Sequence, residues 1–225
     1  MSARLTLRVG VFGGSFNPIH IGHLRVAEEV REAQQLDRVL FIPAALPPHK
    51  HGQRLASPEQ RLQMVRLAIA GNRFFRVCDI ELKRAGRSYS IDTLRALRQR
   101  SPHWELYFIL GIDAFAEIAT WKEYEQLFEL SHFVVVSRPG TPAKPLLRVL
   151  PVVTRRAFWY ARDGLTLIHR SGHKVLFQHV TGLDVSATAI RRDLLRGRSI
   201  RYLVPTTVER YILREGIYQR RSTAS

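Results

Sequence analysis

Residues 13–24 read GGSFNPIHIGHL and directly follow an apolar stretch over residues 5–12. These residue types in this order describe a phosphate-handling corner, where a strand ends, the backbone turns on two glycines and a helix begins. Gly13 and Gly14 allow a tight turn and a close approach of main chain to a ligand. A helix starting near His20 or Ile21 would aim its unpaired N–H groups and positive dipole end at the same point. His20 and His23 are three apart and so lie on one face of the helix start, while Gly22 between them carries no side chain to obstruct a bound phosphate. Taken singly, a histidine there is usually a surface or capping residue, and Asn17-Pro18 reads as an ordinary turn. The run is not a Walker P-loop: neither GxxxxGK[ST] nor GxGxxG occurs in the chain.

A second constellation lies far downstream. Residues 185–194, VSATAIRRDL, place hydroxyls at Ser186 and Thr188 just before a helical pattern and Arg191 one turn in. Alone, that is a helix N-cap. Beside the first motif it is a second candidate phosphate site.

The elements that must position these residues alternate. Strands are expected over 5–12, 38–43, 74–81, 105–110 and 132–137. Helices are expected over 21–34, from Pro58 (N-capped by Ser57) to about 70, and over 91–100, with the alternation continuing through 124–130. Prolines 139, 142, 145 and 151 break the next stretch, which is expected to be a loop-rich connection with one helical piece and short strands near 165–169 and 175–178. Two closing helices, 187–195 and 205–215, complete a C-terminal helical segment of about 185–219. The pattern predicts α/β architecture in a single domain over 1–225: a Rossmann-like, doubly wound, mostly parallel sheet with helices on both faces and ligands at the carboxyl ends of its strands.

With 225 residues, 45% of them apolar, the chain can bury a full core. No apolar run is long enough to span a bilayer, and MSARLTLRVG enters a strand without a signal-peptide pattern, so no membrane partner and a cytoplasmic location are expected. Cys78 is the only cysteine, which excludes an intramolecular disulfide and a single-chain thiolate metal cluster; a buried structural thiol is expected. The net charge of +16 is concentrated at the C-terminal end, where residues 141–225 hold 16 Lys or Arg against 5 Asp or Glu. These charges are spread through amphipathic segments without RNA-binding motifs. A solvated face with some steering of anionic substrates therefore accounts for them better than nucleic-acid binding does. Homo-oligomer formation stays open.

GGSFNPIHIGHL resembles the HxGH signature of the nucleotidyltransferase superfamily, whose members transfer a nucleoside monophosphate from a nucleoside triphosphate to a phosphate acceptor. VSATAIRRDL resembles the (I/V)S(S/A)TxIR motif that these members carry downstream; Val185 and Ala187 are mild departures, and Ser186, Thr188 and Arg191 are all present. GRSYSIDTL at 86–94, ILGIDAF at 109–115, Trp121, VVVSRPG ending at Gly140 and YLVPTTVERYI at 202–212 narrow the likeness to bacterial nicotinate mononucleotide adenylyltransferases, along nearly the whole chain. Phosphopantetheine adenylyltransferases and small cytidylyltransferases share the HxGH type but lack the SYxIDTL and GxDxxxxxxxW pairing.

The resemblance implies roles residue by residue. His20 and His23 would bond the triphosphate and Arg191 the departing pyrophosphate. Gly13, Gly14, Gly22, Gly111, Asp113, Ser186 and Thr188 would bind ATP, with Asp113 on the adenosine half or, in the plainer reading, a helix N-cap. Ser15, Phe16, Lys50, Tyr89, Ser90 and Trp121 would hold the mononucleotide, its pyridine ring stacked on Trp121 and its carboxylate received by backbone N–H groups near Tyr89 and Ser90 and after Trp121. An indole face suits a flat pyridinium, and main-chain donors suit a carboxylate. Ser90 stands where threonine is common and Lys122 where a second aromatic is often found, so transfer to nicotinamide mononucleotide is the alternative. A basic nucleic-acid-associated protein with an inactive nucleotidyltransferase fold is the alternative from another class. Mg²⁺ is expected on the ATP phosphates, with no protein metal site, since no His, Cys or carboxylate cluster has zinc spacing.

Overall fold

The computed structural model describes residues 6–46, 55–137 and 146–219. Strand β1 (Leu7–Gly14) leads through helix α1 (Ile21–Ala33) to β2 (Arg38–Pro43), then α2 (Pro58–Ile69), β3 (Phe75–Val77), α3 (Ser90–Arg100) and β4 (Trp104–Gly111). A short helix α4 (Ile112–Ala116), a 3₁₀ turn at Ile118–Thr120 and α5 (Tyr124–Leu130) connect to β5 (His132–Ser137). Beyond it lie α6 (Leu146–Val149), α7 (Val152–Arg155), β6 (Phe158–Tyr160), β7 (Leu167–His169), β8 (Lys174–His179), α8 (Ala187–Leu195) and α9 (Thr206–Arg214). The strands form one sheet of order β3-β2-β1-β4-β5-β8-β7-β6. It is parallel from β3 to β8, and β7 and β6 add antiparallel to that edge.

Alternation along the strands explains the layers. Val9, Val11, Leu40, Ile42, Leu106, Phe108, Leu110, Phe133 and Val135 face one core, which α3, α4 and α5 cover through residues such as Ile91, Leu94, Phe115 and Phe128. Their neighbours Val39, Phe41, Tyr107, Ile109, Val134 and Val136 face the other core, which α1, α2, α8 and α9 cover through Ala27, Val30, Met64, Val65, Ile190 and Ile212. A parallel strand buried on both faces has no polar side, which is why β2 and β5 read as continuous apolar runs. Ser57 caps α2 as expected: its hydroxyl accepts from the Gln60 N–H at 3.2 Å, and the Gln60 side chain accepts from the Ser57 N–H at 3.0 Å.

Three expectations need correction. The strand expected over 74–81 is only Phe75–Val77: after Cys78 the chain leaves the sheet edge and turns inward at Ile80–Glu81. The stretch between β5 and β8 holds, besides the two short strands expected in it, a third one, β6 at Phe158–Tyr160, which three residues without alternation do not announce, and its described residues contain two short helices rather than one. Cys78 is half-buried rather than fully buried, and its thiol is pushed up by partial burial. Among the described residues no helix is long and apolar enough to cross a membrane.

Candidate active site

In the order 3-2-1-4-5, chain direction reverses its walk across the sheet between β1 and β4, and the carboxyl ends of these two strands open a crevice. A cavity of about 640 Å³ occupies it. Its wall includes Gly13, Gly14, Ser15, Phe16, His20, Gly22 and His23 from the β1–α1 segment, and Ser90, Gly111, Asp113 and Trp121 from the β4 side. Ser186, Thr188 and Arg191 from α8 complete it.

The glycines do not make the turn. β1 continues through Gly14, and the chain reverses at Phe16, with φ of 43°, and at the cis peptide bond between Asn17 and Pro18. Gly13 instead leaves open space at the strand end, where a Cβ would meet nothing within 4 Å. The Phe16 ring is 1% exposed and packs edge-on against His23 at 5.2 Å between ring centres, so within the cavity wall its side chain supports the histidine.

His20 caps the helix and His23 lies in its first turn, with ring centres 3.7 Å apart. The His20 backbone N–H donates to His23 Nδ1 at 3.2 Å. An accepting Nδ1 assigns the proton of neutral His23 to Nε2, which makes Nε2 a donor suited to an anion. Gly22 matters for a reason the sequence does not show. A Cβ there would stand 3.1 Å from His20 Nδ1, so the glycine makes room for the imidazole as well as for a ligand. One of the helix's first N–H groups is already used, since Ile21 donates to the Leu203 carbonyl at 3.1 Å.

On α8 the plain and the functional readings coexist. Ser186 Oγ accepts from the Ala189 N–H at 3.1 Å, which is an N-cap, and its hydroxyl proton stays available to a ligand. Arg191 donates from Nη1 to the Asn17 carbonyl at 2.7 Å and from Nη2 to Thr188 Oγ1 at 3.3 Å. The two motifs are thereby joined at one point.

Asp113 is not the N-cap of α4. That position belongs to Gly111, and Asp113 sits exposed in the first turn, facing the cavity. Trp121 is half-buried and meets Phe108 edge-on at 6.1 Å. Tyr89 does not reach the cavity wall. It precedes α3, and Lys122 Nζ lies 5.1 Å from the centre of its ring, where cation and ring attract. Lys50 lies outside the described residues.

Reading the sequence missed Arg61, Glu81 and the segment 180–183. Arg61 is 1% exposed and donates to three backbone carbonyls: Ser15 at 2.9 Å, Ala45 at 3.0 Å and Ala56 at 3.1 Å. It therefore ties the loops on both sides of the cavity. The signal was available, since Arg61, Val65 and Ile69 share the apolar face of α2, and a charge on that stripe must be bonded. Asn17 Oδ1 accepts from the Ala56 N–H at 3.0 Å and from the Tyr218 hydroxyl at 2.6 Å, and burial pushes that phenol's ionisation up.

Residues 11–193 match the cytidylyltransferase-like family. The chain is 51% identical over 213 residues to the "Probable nicotinate-nucleotide adenylyltransferase" of Syntrophotalea carbinolica, covering 95% of this chain and 98% of that protein. It is 52% identical over 212 residues to the protein of the same name from Geotalea daltonii, covering 94% and 98%. Among solved structures, the nicotinic acid mononucleotide adenylyltransferase of Plasmodium falciparum complexed with NaAD matches with a TM-score of 0.72 at 18% identity, over 94% of this chain and 97% of that one. At that identity the likeness is one of fold.

Proposed function

This chain belongs to the cytidylyltransferase-like family and, within it, to the nicotinate-nucleotide adenylyltransferases, and from that membership we propose that it transfers AMP from ATP to nicotinate mononucleotide. The products are nicotinate adenine dinucleotide and pyrophosphate, a step of NAD biosynthesis. The observation that carries the reading to the residues is the meeting of both phosphate motifs, through the Arg191 bond to Asn17, in one cavity that also reaches Trp121 and Ser90.

A phosphate monoester with a second pKa near 6 is mostly dianionic at neutral pH, so the attacking oxygen needs no general base. The protein must hold two repelling anions in line at the α-phosphorus and stabilise the charge on the leaving oxygen, which is positioning plus electrostatics. In this reading His23 Nε2–H and His20 donate to the triphosphate. The α8 N-terminus, Ser186, Thr188 and Arg191 receive its β- and γ-phosphates. Gly111 and Asp113 take the adenosine half. Trp121 stacks on the pyridine ring, and backbone N–H groups beside Ser90 and after Trp121 take its carboxylate. Ser15 contributes to the mononucleotide side through the loop that Arg61 holds.

Among the described residues no group of three or more His, Cys, Asp or Glu could hold a metal, and Glu81 and Asp113 are the carboxylates on the cavity wall. With Glu81 buried and bonded to Thr93, a wall so poor in free carboxylates fits an Mg²⁺ ion carried on ATP phosphate oxygens with its waters, where it would neutralise triphosphate charge. A cytoplasmic location agrees with these substrates.

Pyrophosphate release should be measured with ATP and Mg²⁺, offering nicotinate mononucleotide, nicotinamide mononucleotide and phosphopantetheine in parallel. Strong preference for the first is expected. Preference for another acceptor keeps the phosphate site and overturns the pyridine pocket; no release with any overturns the activity.

A further inference from the structure

The wall of the cavity on the Ser90 and Trp121 side contains a carboxyl that the transfer chemistry leaves without a role. Glu81 follows β3 in a turn and is 7% exposed. Its Oε1 accepts from the Thr93 hydroxyl on α3 at 2.7 Å, and the Ser88 hydroxyl lies near enough to favour its charged form. Burial pushes the Glu81 carboxyl up despite these hydroxyls and the nearby Arg84 and Arg61 charges. A carboxyl so placed costs free energy to bury, and what it gains in return is a fixed position for the groups that bond it.

Those groups flank one short segment. Ser88 and Thr93 lie on either side of Ser90, beside which the proposed reading places backbone N–H donors for the pyridine carboxylate. Ser88 is also held from the opposite wall. Its Oγ accepts from the Ala45 N–H at 2.9 Å, and its own N–H donates to the Leu46 carbonyl at 3.2 Å. The Ala45 carbonyl in turn accepts from Arg61, which also bonds the Ser15 carbonyl. Hydrogen bonds thus join Thr93 to Glu81, and Ser88 through Ala45 and Arg61 to Ser15, with the Ser88 hydroxyl beside the Glu81 carboxyl where the two sets meet.

We infer that Glu81 is a positioning residue for the pyridine-carboxylate subsite, fixing the 88–93 segment so that its backbone donors meet a carboxylate. The inference rests on the proposed acceptor. Glu81 touches no reacting atom, and its removal should weaken binding of the mononucleotide in the ground state and transition state alike, leaving ATP binding untouched.

The test is steady-state kinetics of the full chain with each substrate varied in turn, on Glu81→Ala and Glu81→Gln, with thermal melting of each variant. Glu81→Ala should raise the KM for nicotinate mononucleotide roughly tenfold or more, with the KM for ATP and kcat within about twofold. Glu81→Gln keeps an oxygen for the Thr93 hydroxyl and should restore the KM to within about threefold of the parent. If Glu81→Ala does not fold, Thr93→Val removes the hydroxyl bonded to Glu81 and Ser88→Ala the one that accepts from the Ala45 N–H beside it, and each should raise the same KM about threefold. An unchanged KM for the mononucleotide, or an equal rise in both KM values, overturns the inference. Parent protein that prefers nicotinamide mononucleotide would overturn the acceptor reading instead, and the two failures are distinguishable because the first leaves the parent's preference intact.

Discussion

Arg191 Nη1 donates to the carbonyl oxygen of Asn17 at 2.7 Å, joining two segments 174 residues apart. The guanidinium is planar and has five donors, so bonds to Asn17 and Thr188 leave others for an anion between the two motifs. Arg191→Ala should lower kcat about 10²-fold, by analogy with loss of one preorganised donor, while melting stays within a few degrees of the parent. Arg191→Lys should recover little of this, because an ammonium cannot bridge Asn17, Thr188 and a phosphate together. Near-parent turnover in the lysine variant would mean that charge alone is sufficient.

His23 has a structural bond and a proposed chemical one on different nitrogens. His23→Asn offers an oxygen near the Nδ1 position, able to accept the His20 N–H, but nothing near Nε2. It should fold normally and lose about 10²-fold in kcat. Turnover close to the parent's would remove His23 from the phosphate role.

Trp121 offers a half-buried indole face to the cavity. Trp121→Ala should raise the KM for the mononucleotide with little change in kcat, because stacking is present both before and during reaction. Substrate titrations check this, and an unchanged KM would place the pyridine ring elsewhere.

Arg61→Met tests the buried tie between the loops. Methionine fills similar space but leaves the carbonyls of Ser15, Ala45 and Ala56 without their donor. A loss of about 2–4 kcal/mol is expected from the unpaired carbonyls, visible in chemical denaturation. A stability equal to the parent's would show that water replaces the guanidinium.

At the opposite end of the sheet, His132 is buried against Tyr107, donates from Nε2 to Glu105 Oε1 at 3.0 Å and accepts the Lys174 N–H on Nδ1 at 3.0 Å. Burial first, then the neighbouring His173, pushes its pKa down from 6.5 to about 4. The unfolded chain therefore binds more protons between those values. The resulting stability is fully present above pH 6.5 and is lost as pH falls toward 4. His132→Gln should flatten the fall of Tm across that window, leaving the smaller contributions of His169 and His173, whose pKa values are also lowered. An unchanged slope would assign the acid sensitivity to other groups.

Periodicity and turn chemistry are local properties, and the sequence carried them. The apolar runs of β2 and β5, the Ser57-Pro58 start of α2 and the Ser186 start of α8 are written in adjacent residues, and they suffice for a parallel α/β sheet with a site at its strand ends. The order of the two phosphate motifs pointed to one site, although nothing local states that they touch. Only the tertiary structure decided that Arg191 reaches Asn17, that Gly22 makes room for His20, and that Phe16 turns inward beneath His23. It alone also decided that Arg61 and Glu81 are buried in the cavity's frame. A charged residue reads as surface until the packing around it is known. Burial makes each such group seek partners, and here those partners are the backbone carbonyls and hydroxyls of loops that distant segments bring together.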